Sequence, residues 1–252
     1  MTAPLCVYAP LGMLGYGFPE PSLRAALERP IDIFAVDAGS TDPGPYYLGT
    51  GKSFTSRTMV KRDLSLLLPA ACRKGVPFVI GSAGGAGGDP HLAWTVEIIR
   101  EVAAEHGLHF RMAVIHAEQG KAALKQSLER GEIIDFETGY DLGPEDIDAC
   151  THIVGQMGIE PIVGALERGA GVVVAGRAFD AGLSAALPIA RGIDPGLAYH
   201  MGKIVECGSL VAVPRTSDGV LARVSPDHFL IAPADPAKRC TVELVAAHTL
   251  YE

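Results

Sequence analysis

The sequence has few aromatic residues, no excess of positive charge and no long apolar run. Aromatic residues make up 6% of its 252 residues, with a single tryptophan, and the formal net charge is -8. Nucleic-acid and anionic-membrane surfaces need clustered Lys and Arg, so we expect neither kind of partner. No apolar stretch reaches the length of a membrane span, and Pro and Gly interrupt the apolar residues near the start of the chain, unlike a signal peptide.

Paired cysteine motifs are also missing. The five cysteines are scattered, with no CxxC spacing and an odd total, so neither a zinc knuckle nor a disulfide framework is indicated. We therefore expect a protein of the reducing cytoplasm. The chain is 48% hydrophobic and 20% charged, with 30 glycines, which is typical of a soluble, loop-rich metabolic domain.

Short β-branched runs alternate with helical segments as far as residue 193. We interpret residues 5–9, 31–36, 76–81, 109–115, 153–157 and 171–175 as strands. The helical segments are residues 21–29, 58–74, 90–106, 120–130, 160–168 and 181–191. Strands separated by helices of this length require right-handed crossovers, which predicts an α/β fold with a mostly parallel sheet and helices on both faces.

The alternation stops at about Asp194. We predict a helix over residues 195–210, a hairpin formed by 219–224 and 228–232, and a final helix over 240–252. The chain would then consist of an α/β domain, residues 1–193, with a pocket at the strand ends, and a small C-terminal appendage of helix and hairpin, residues 194–252.

Polar residues follow strand after strand. They are Asp37, Ser40, Thr41 and Asp42 after the second strand, Ser82, Gly84, Gly85 and Asp89 after the third, His116 and Glu118 after the fourth, Gln156 after the fifth, and Arg177 and Asp180 after the last. Ligands of open parallel sheets bind beyond the carboxyl ends of the strands. We therefore expect these residues to line one shared pocket.

The segment GSAGGAGGDP, residues 81–90, lies between a predicted strand and a predicted helix. Glycines let backbone amides approach a ligand closely, and a helix N-terminus favours an anion such as a carboxylate or phosphate. The spacing matches neither the dinucleotide nor the Walker fingerprint. A tight turn with Asp89 as a helix cap is the alternative, but four glycines in five residues exceed what capping requires and favour ligand contact.

His116 and Glu118 are the predicted acid and base. A histidine near a carboxylate can transfer protons or bind a metal, although a histidine bonded to local backbone would look the same in sequence. Arg177 offers a planar fork for a substrate carboxylate, which Asp180 could orient; a structural ion pair is the alternative. Glu206 and Cys207 lie on a predicted helix with no visible histidine partner, and packing explains them better.

Five motifs occur together in one order: DAGSTDPGPYYLG, GSAGGAGGDP, GVVVAGRAFDAGL, VECG and CTVELVAAHTLYE. From about Ile31 onward they resemble the N-terminal part of the acyclic terpene utilisation family named after AtuA. The resemblance implies a bacterial catabolic protein, encoded among enzymes that degrade branched acyl-CoA or related carboxylic acids. Members are usually longer and carry glycines after ECG, where this chain has Ala212, Val213 and Pro214, so we expect a fragment or a shortened form.

We expect an enzyme of lyase or hydratase type that acts on a small carboxylate or an acyl-CoA. In this hypothesis the glycine segment and Arg177 hold the anionic end of the substrate, and His116 or Glu118 moves a proton beside the carbonyl. Asp37 and Asp42 would fix hydroxyl groups or a divalent cation.

Two alternatives remain open. The chain could be a noncatalytic subunit or metabolite-binding module, and in either role we expect a homo-oligomer or a complex with a small partner subunit. A hydrolase built on Ser40 or Ser82 ranks last, because neither serine lies in a GxSxG elbow.

Overall fold

A seven-stranded mixed sheet forms the centre of the computed structural model, which describes residues 4–39 and 44–251. The strands are β1 (Leu5–Ala9), β2 (Ile33–Asp37), β3 (Phe78–Gly81), β4 (Met112–Ile115), β5 (Val172–Ala175), β6 (Ala212–Val213), β7 (Val220–Val224), β8 (Phe229–Pro233) and β9 (Arg239–Cys240). The sheet order is β4-β5-β3-β2-β1-β7-β8, with the first five strands parallel, and β6 and β9 form a separate pair. The predicted α/β class and mostly parallel sheet are confirmed.

Helices cover both faces of the sheet. They are α1 (Glu20–Leu27), α2 (Pro45–Thr50), α3 (Arg57–Lys74), α4 (Asp89–Glu105), α5 (Lys121–Glu129), α6 (Pro144–Ala149), α7 (Glu160–Glu167), α8 (Asp180–Ala190), α9 (Pro195–Val205) and α10 (Val242–Tyr251). Apolar residues of α1, α3 and α4 form one core with one face of the sheet, and those of α7, α8 and α9 form a second core with the other. None of the described helices combines the length and apolar character that a membrane crossing needs.

The central strands β2, β3 and β5 are buried on both faces, which explains their largely continuous apolar sequences. In β3, Phe78 and Ile80 pack into the first core, whereas Val79 between them packs into the second. This alternation follows from the two-residue period of a strand, and it requires apolar residues at every position.

The predicted C-terminal hairpin forms as β7 and β8, and it extends the central sheet. Strand β7 pairs antiparallel with β1, from Leu5 opposite Val224 to Ala9 opposite Val220. The sheet therefore draws its strands from both sides of the division that the sequence predicts at residue 193.

Two predicted elements were wrong in extent. Residues 153–157 form no regular strand; Val154 makes an isolated bridge to Glu118 and Met157 one to Ala178, because this segment runs between two loops beyond the strand ends. The helix predicted over 195–210 ends at Val205 and is followed by a short 3-10 helix, Gly208–Val211. Gly208 has φ +62° and lies against the backbone of Gly12, which turns the chain there.

A buried ion pair joins the C-terminal part of the chain to α1. Lys238 Nζ lies 2.9 Å from Asp218 Oδ2, and the two side chains are 4% and 1% exposed. The hydroxyl of Ser22, in α1, donates to the same carboxylate oxygen at 2.9 Å. The pair thus links three segments that are distant in sequence.

Replacing Lys238 by Met should lower the free energy of unfolding by about 3–5 kcal/mol, because Asp218 would be left buried without its countercharge. Urea titration of both proteins measures the difference. Arg24→Met is the matched control: Arg24 lies 3.9 Å from Glu20 with side chains 69% and 54% exposed, and its loss should cost less than about 1 kcal/mol. Equal effects of the two substitutions would show that the buried pair has no special structural role.

Candidate functional site

The connections that leave β3 and β5 diverge to opposite faces of the sheet. Strand β3 leads to α4 in the first core, and its neighbour β5 leads to α8 in the second. Such a divergence leaves a crevice at the carboxyl ends of the two strands. A cavity of about 220 Å³ lies there, which we call the switch-point cavity. It is lined by Asp37, Gly39, Ser82, Gln156, Arg177, Ala178, Phe179, Asp180 and Lys203.

Asp37, the last residue of β2, is 2% exposed. Its Oδ2 accepts the amide hydrogen of Gly39 at 2.9 Å, and its buried Oδ1 has no hydrogen-bond partner in the described part of the chain. Burial raises the pKa of Asp37 to about 7, opposed by the Gly39 amide and reinforced by the negative charge of Asp180. Near neutral pH the carboxyl group therefore exists in both protonation states, as a general acid or base must.

Lys203, on α9, closes one side of the cavity. Its Nζ lies 2.6 Å from Oε1 of Glu206 and 3.7 Å from Oδ2 of Asp180. Burial raises the pKa of Glu206 to about 8, although its hydrogen bond from Lys203 opposes the shift. The raised pKa means that Glu206 can hold a proton near neutral pH beside the ammonium of Lys203.

Arg177 follows β5 and supplies a second cation. Its Nη1 donates to the carbonyl oxygen of Gly39 at 3.3 Å, which holds the guanidinium over the end of β2. Arg177 and Lys203 bring two basic side chains to the described lining, beside the carboxyl groups of Asp37 and Asp180. A protein of net charge -8 thus has a local site suited to an anion.

Ser82 adopts a backbone conformation that is unusual for a residue with a side chain. Its φ is +45°, directly after β3. Its Oγ donates to the carbonyl oxygen of Ala178 at 3.3 Å and accepts from the amide of the same residue at 3.4 Å. These bonds tie the end of β3 to the loop after β5, and backbone strain of this kind concentrates at functional sites.

His116 and Glu118 belong to a different group of side chains, which we call the acid–imidazole cluster: Asp89, His116, Glu118 and His152. His116 Nδ1 lies 2.7 Å from Asp89 Oδ1, and His152 Nδ1 lies 2.6 Å from Glu118 Oε1. The amide of Asp89 donates to Glu118 Oε2 at 2.9 Å, so a carboxylate of the protein already occupies the N-terminus of α4. The cluster does not contribute to the described lining of the switch-point cavity, and the catalytic roles of His116 and Glu118 stay predictions.

The glycine segment packs backbone against backbone. Gly87 has φ +72°, and a Cβ atom there would lie 2.2 Å from the amide nitrogen of Arg177. A Cβ atom on Gly39 would lie 1.9 Å from the carbonyl oxygen of Gly85. These glycines allow the loops after β2, β3 and β5 to meet. Gly84 and Gly85 are buried outside the described lining of the cavity, and their predicted substrate contacts, like that of Asp89, stay predictions.

The structure brings together five of the residues that were selected from the sequence. It adds Lys203 to the lining of the cavity and Glu206 in contact with Lys203. The five that line the cavity are Asp37, Ser82, Gln156, Arg177 and Asp180. Ser40, Thr41 and Asp42 lie outside the described residues. Lys203 and Glu206 were missed as site residues; the available signal was a charged pair, i and i+3, in the otherwise apolar stretch GKIVECG.

The divalent cation expected with Asp37 and Asp42 can be tested only in part. Among the residues that the structure describes, no group of three or more His, Cys, Asp and Glu side chains is arranged to hold a metal ion.

Asp37→Asn should change how stability depends on pH. An acid whose pKa is higher in the folded chain binds its proton more tightly there, so its contribution to stability falls as pH rises from 3.8 to about 7. Asparagine does not titrate, so the variant lacks this loss. Its free energy of unfolding minus that of the wild type should therefore rise by up to about 1.4 kcal/mol per pH unit in that window. Urea titrations from pH 4 to pH 8 give both curves. Parallel curves would contradict a raised pKa at Asp37.

Gly87→Ala should destabilise the fold more than Gly75→Ala. Both glycines have positive φ, +72° and +68°. Alanine at either position must adopt a left-handed backbone conformation, which costs about 1–2 kcal/mol. Only at Gly87 would the methyl group collide with backbone, since no atom lies within 4 Å of a Cβ at Gly75. Thermal unfolding of the two variants compares them directly, and equal shifts would mean that the loop after β3 can move away from Arg177.

Comparison with known families gives a match over most of the chain. The family description "Acyclic terpene utilisation family protein AtuA" matches residues 51–222, which is more than half of the chain and includes β3, β5, Arg177 and Glu206. Comparison with curated proteins and with solved structures finds no significant match. The chain therefore belongs to the AtuA family of acyclic terpene utilisation proteins.

Proposed function

We propose that this protein is an enzyme that binds a small carboxylate in the switch-point cavity and moves a proton at the carbon next to the carboxyl group. Lyases and hydratases use this chemistry. The observation that carries the proposal is the state of Asp37, a buried carboxyl group with a pKa of about 7. One of its oxygens has no hydrogen-bond partner among the described residues, and the basic side chains of Arg177 and Lys203 line the same cavity. A residue of this kind matches what general acid–base catalysis requires.

The cations define how a substrate would lie. The planar guanidinium of Arg177 can bind a carboxylate through two parallel hydrogen bonds, and the ammonium of Lys203 adds a point charge. Removing a proton beside a carboxylate builds further negative charge on its oxygens, which two fixed cations stabilise. Asp37 takes this proton as the carboxylate and returns it as the acid. Glu206 keeps Lys203 in the cavity wall through the 2.6 Å contact.

The size of the cavity favours a small acid over a whole acyl-CoA. Its volume of about 220 Å³ is below the roughly 300–1,000 Å³ of cavities that hold drug-sized ligands. An acyl-CoA would have to keep its nucleotide part outside this cavity. A short-chain or medium-chain carboxylate could place its carboxyl group inside without that constraint.

A noncatalytic binding module is the second candidate, because α10 leaves apolar side chains uncovered. Val242, Leu250 and Tyr251 are each more than four-fifths exposed. Such a surface suits burial against a second copy of the chain or a small partner subunit. In this case the switch-point cavity would bind its acid without converting it.

Proton exchange distinguishes the two candidates. A panel of small carboxylic acids is first screened for binding by thermal shift, since a ligand that binds the folded state raises its stability. Bound acids are then incubated in D₂O and examined by NMR for deuterium at the carbon beside the carboxyl group. We expect exchange with the wild type and a loss of about 10²–10⁴-fold in its rate with Asp37→Asn.

Arg177→Ala should weaken binding of the same acid by about 10–100-fold, the range expected for loss of hydrogen bonds to a charged group. Arg191→Ala is the control, because Arg191 is an exposed arginine at the end of α8 and lies outside the cavity lining. Binding without deuterium exchange would favour the binding module. An acid that binds equally well to Arg177→Ala and Arg191→Ala would contradict the proposed site.

A further inference from the structure

Residues 131–148 carry almost all of the net charge of the chain, and we call them the acidic segment. They join α5 to α6 and include most of α6. None of them is Lys, Arg or His, and seven are acidic: Glu132, Asp135, Glu137, Asp141, Glu145, Asp146 and Asp148. Because the net charge of the whole chain is -8, this segment contributes -7 and all other residues together contribute -1. Such a charge repels nucleic acids and anionic membranes and attracts a basic protein surface.

The acidic segment also exposes large apolar side chains. Ile134 and Phe136 are 83% and 93% exposed. The turn that carries Phe136 is held in place by Asp135, whose Oδ2 accepts the amide hydrogens of Thr138 and Gly139. Displaying apolar side chains on a hydrogen-bonded turn gains nothing for a single folded chain, because they stay in water. The same turn is preorganised for association, since little further ordering is needed when its side chains are buried by a partner.

A groove of about 510 Å³ lies on β7 and β8, and we call it the arginine groove. Leu221, Leu230 and Ala232 form apolar parts of its lining; Leu221 belongs to the first core, whereas Leu230 is 58% exposed. Arg29 and Arg223 bring two guanidinium groups to the same lining, which contains no Asp or Glu in the described part of the chain. The groove thus matches the apolar side chains of the acidic segment and carries the opposite charge.

The acidic segment and the arginine groove belong to opposite edges of the sheet. The segment follows α5, which follows β4 at one edge, and β8 forms the other edge. Six strand spacings of about 4.8 Å separate β4 from β8, which is roughly 29 Å in all. The two surfaces are therefore apart in the folded chain, and contact between them requires a second copy.

We propose that the acidic segment of one copy docks in the arginine groove of a second copy, so that the chains associate head to tail. Phe136 packs against the apolar lining around Leu230, and the carboxylates that flank it face the guanidinium groups of Arg29 and Arg223. An interface between two acidic segments is disfavoured, because each carries a charge of -7. Every copy keeps one unused surface, so association continues to a ring or a filament. This self-association goes beyond the proposed function, which uses neither surface.

Size-exclusion chromatography with light scattering, over a series of protein concentrations, tests the proposal. The wild type should give masses above the 26.4 kDa of one chain, which rise with concentration and fall at high salt. Phe136→Ser and Arg223→Glu should each weaken the association by about 30-fold or more, as expected for interface anchors. Tyr46→Ser and Arg100→Glu are the matched controls and should behave as the wild type. Tyr46 is 61% exposed on α2 and Arg100 is exposed on α4, both outside the two surfaces.

A mixture of the two interface variants distinguishes head-to-tail docking from any other contact. Phe136→Ser retains the groove and Arg223→Glu retains the acidic segment, so the mixture should form a 1:1 dimer at concentrations where neither variant associates alone. A wild type that stays monomeric, variants that associate as the wild type does, or a mixture that stays monomeric would each overturn the proposal. Thermal unfolding checks the fold of each variant, and Glu137→Lys or Leu230→Asp, which change the same two surfaces, replace one that fails to fold.

Discussion

The structure depends on the close approach of three loops at the carboxyl end of the sheet. The backbones after β2, β3 and β5 meet where Gly39 lies against Gly85 and Gly87 lies against Arg177, with no room for a side chain at either contact. Because these loops come together, the end of β2 is covered and Asp37 becomes buried. The same contacts hold Arg177 against the carbonyl oxygen of Gly39. The glycine segment thus supports the cavity by holding together the loops whose residues form its walls.

Burial then determines the chemistry of the ionisable groups. In water the carboxyl groups of Asp37 and Glu206 would be ionised at neutral pH, but desolvation raises their pKa values to about 7 and about 8. Burying the carboxyl groups of Asp37 and Glu206 lowers the stability of the fold, because their charged forms lose contact with water. Such a trade-off between stability and function is common at catalytic sites.

The sequence predicted much of the fold and part of the site. The alternation of short apolar runs with helical segments indicated the parallel sheet, and the rule that ligands bind at strand ends selected Asp37, Ser82, Gln156, Arg177 and Asp180, which do meet. The same rule grouped His116 and Glu118 with them. Strand β5 lies between β3 and β4 in the sheet, however, so residues after β4 are one strand farther from the point where the connections diverge. Lys203 reaches the cavity from a helix that packs on the sheet, with Glu206 in contact with it, and no strand-end rule could have indicated either residue.

The sequence by itself determined the kinds of elements, the α/β class and the strand ends at which polar groups accumulate, because side-chain periodicity and turn chemistry act over a few neighbouring residues. The order of the strands, the pairing of β7 with β1 and the meeting of Asp37 with Lys203 were decided only by the tertiary structure. The pKa values of Asp37 and Glu206 also depend on it, since desolvation is produced by segments far apart in the chain.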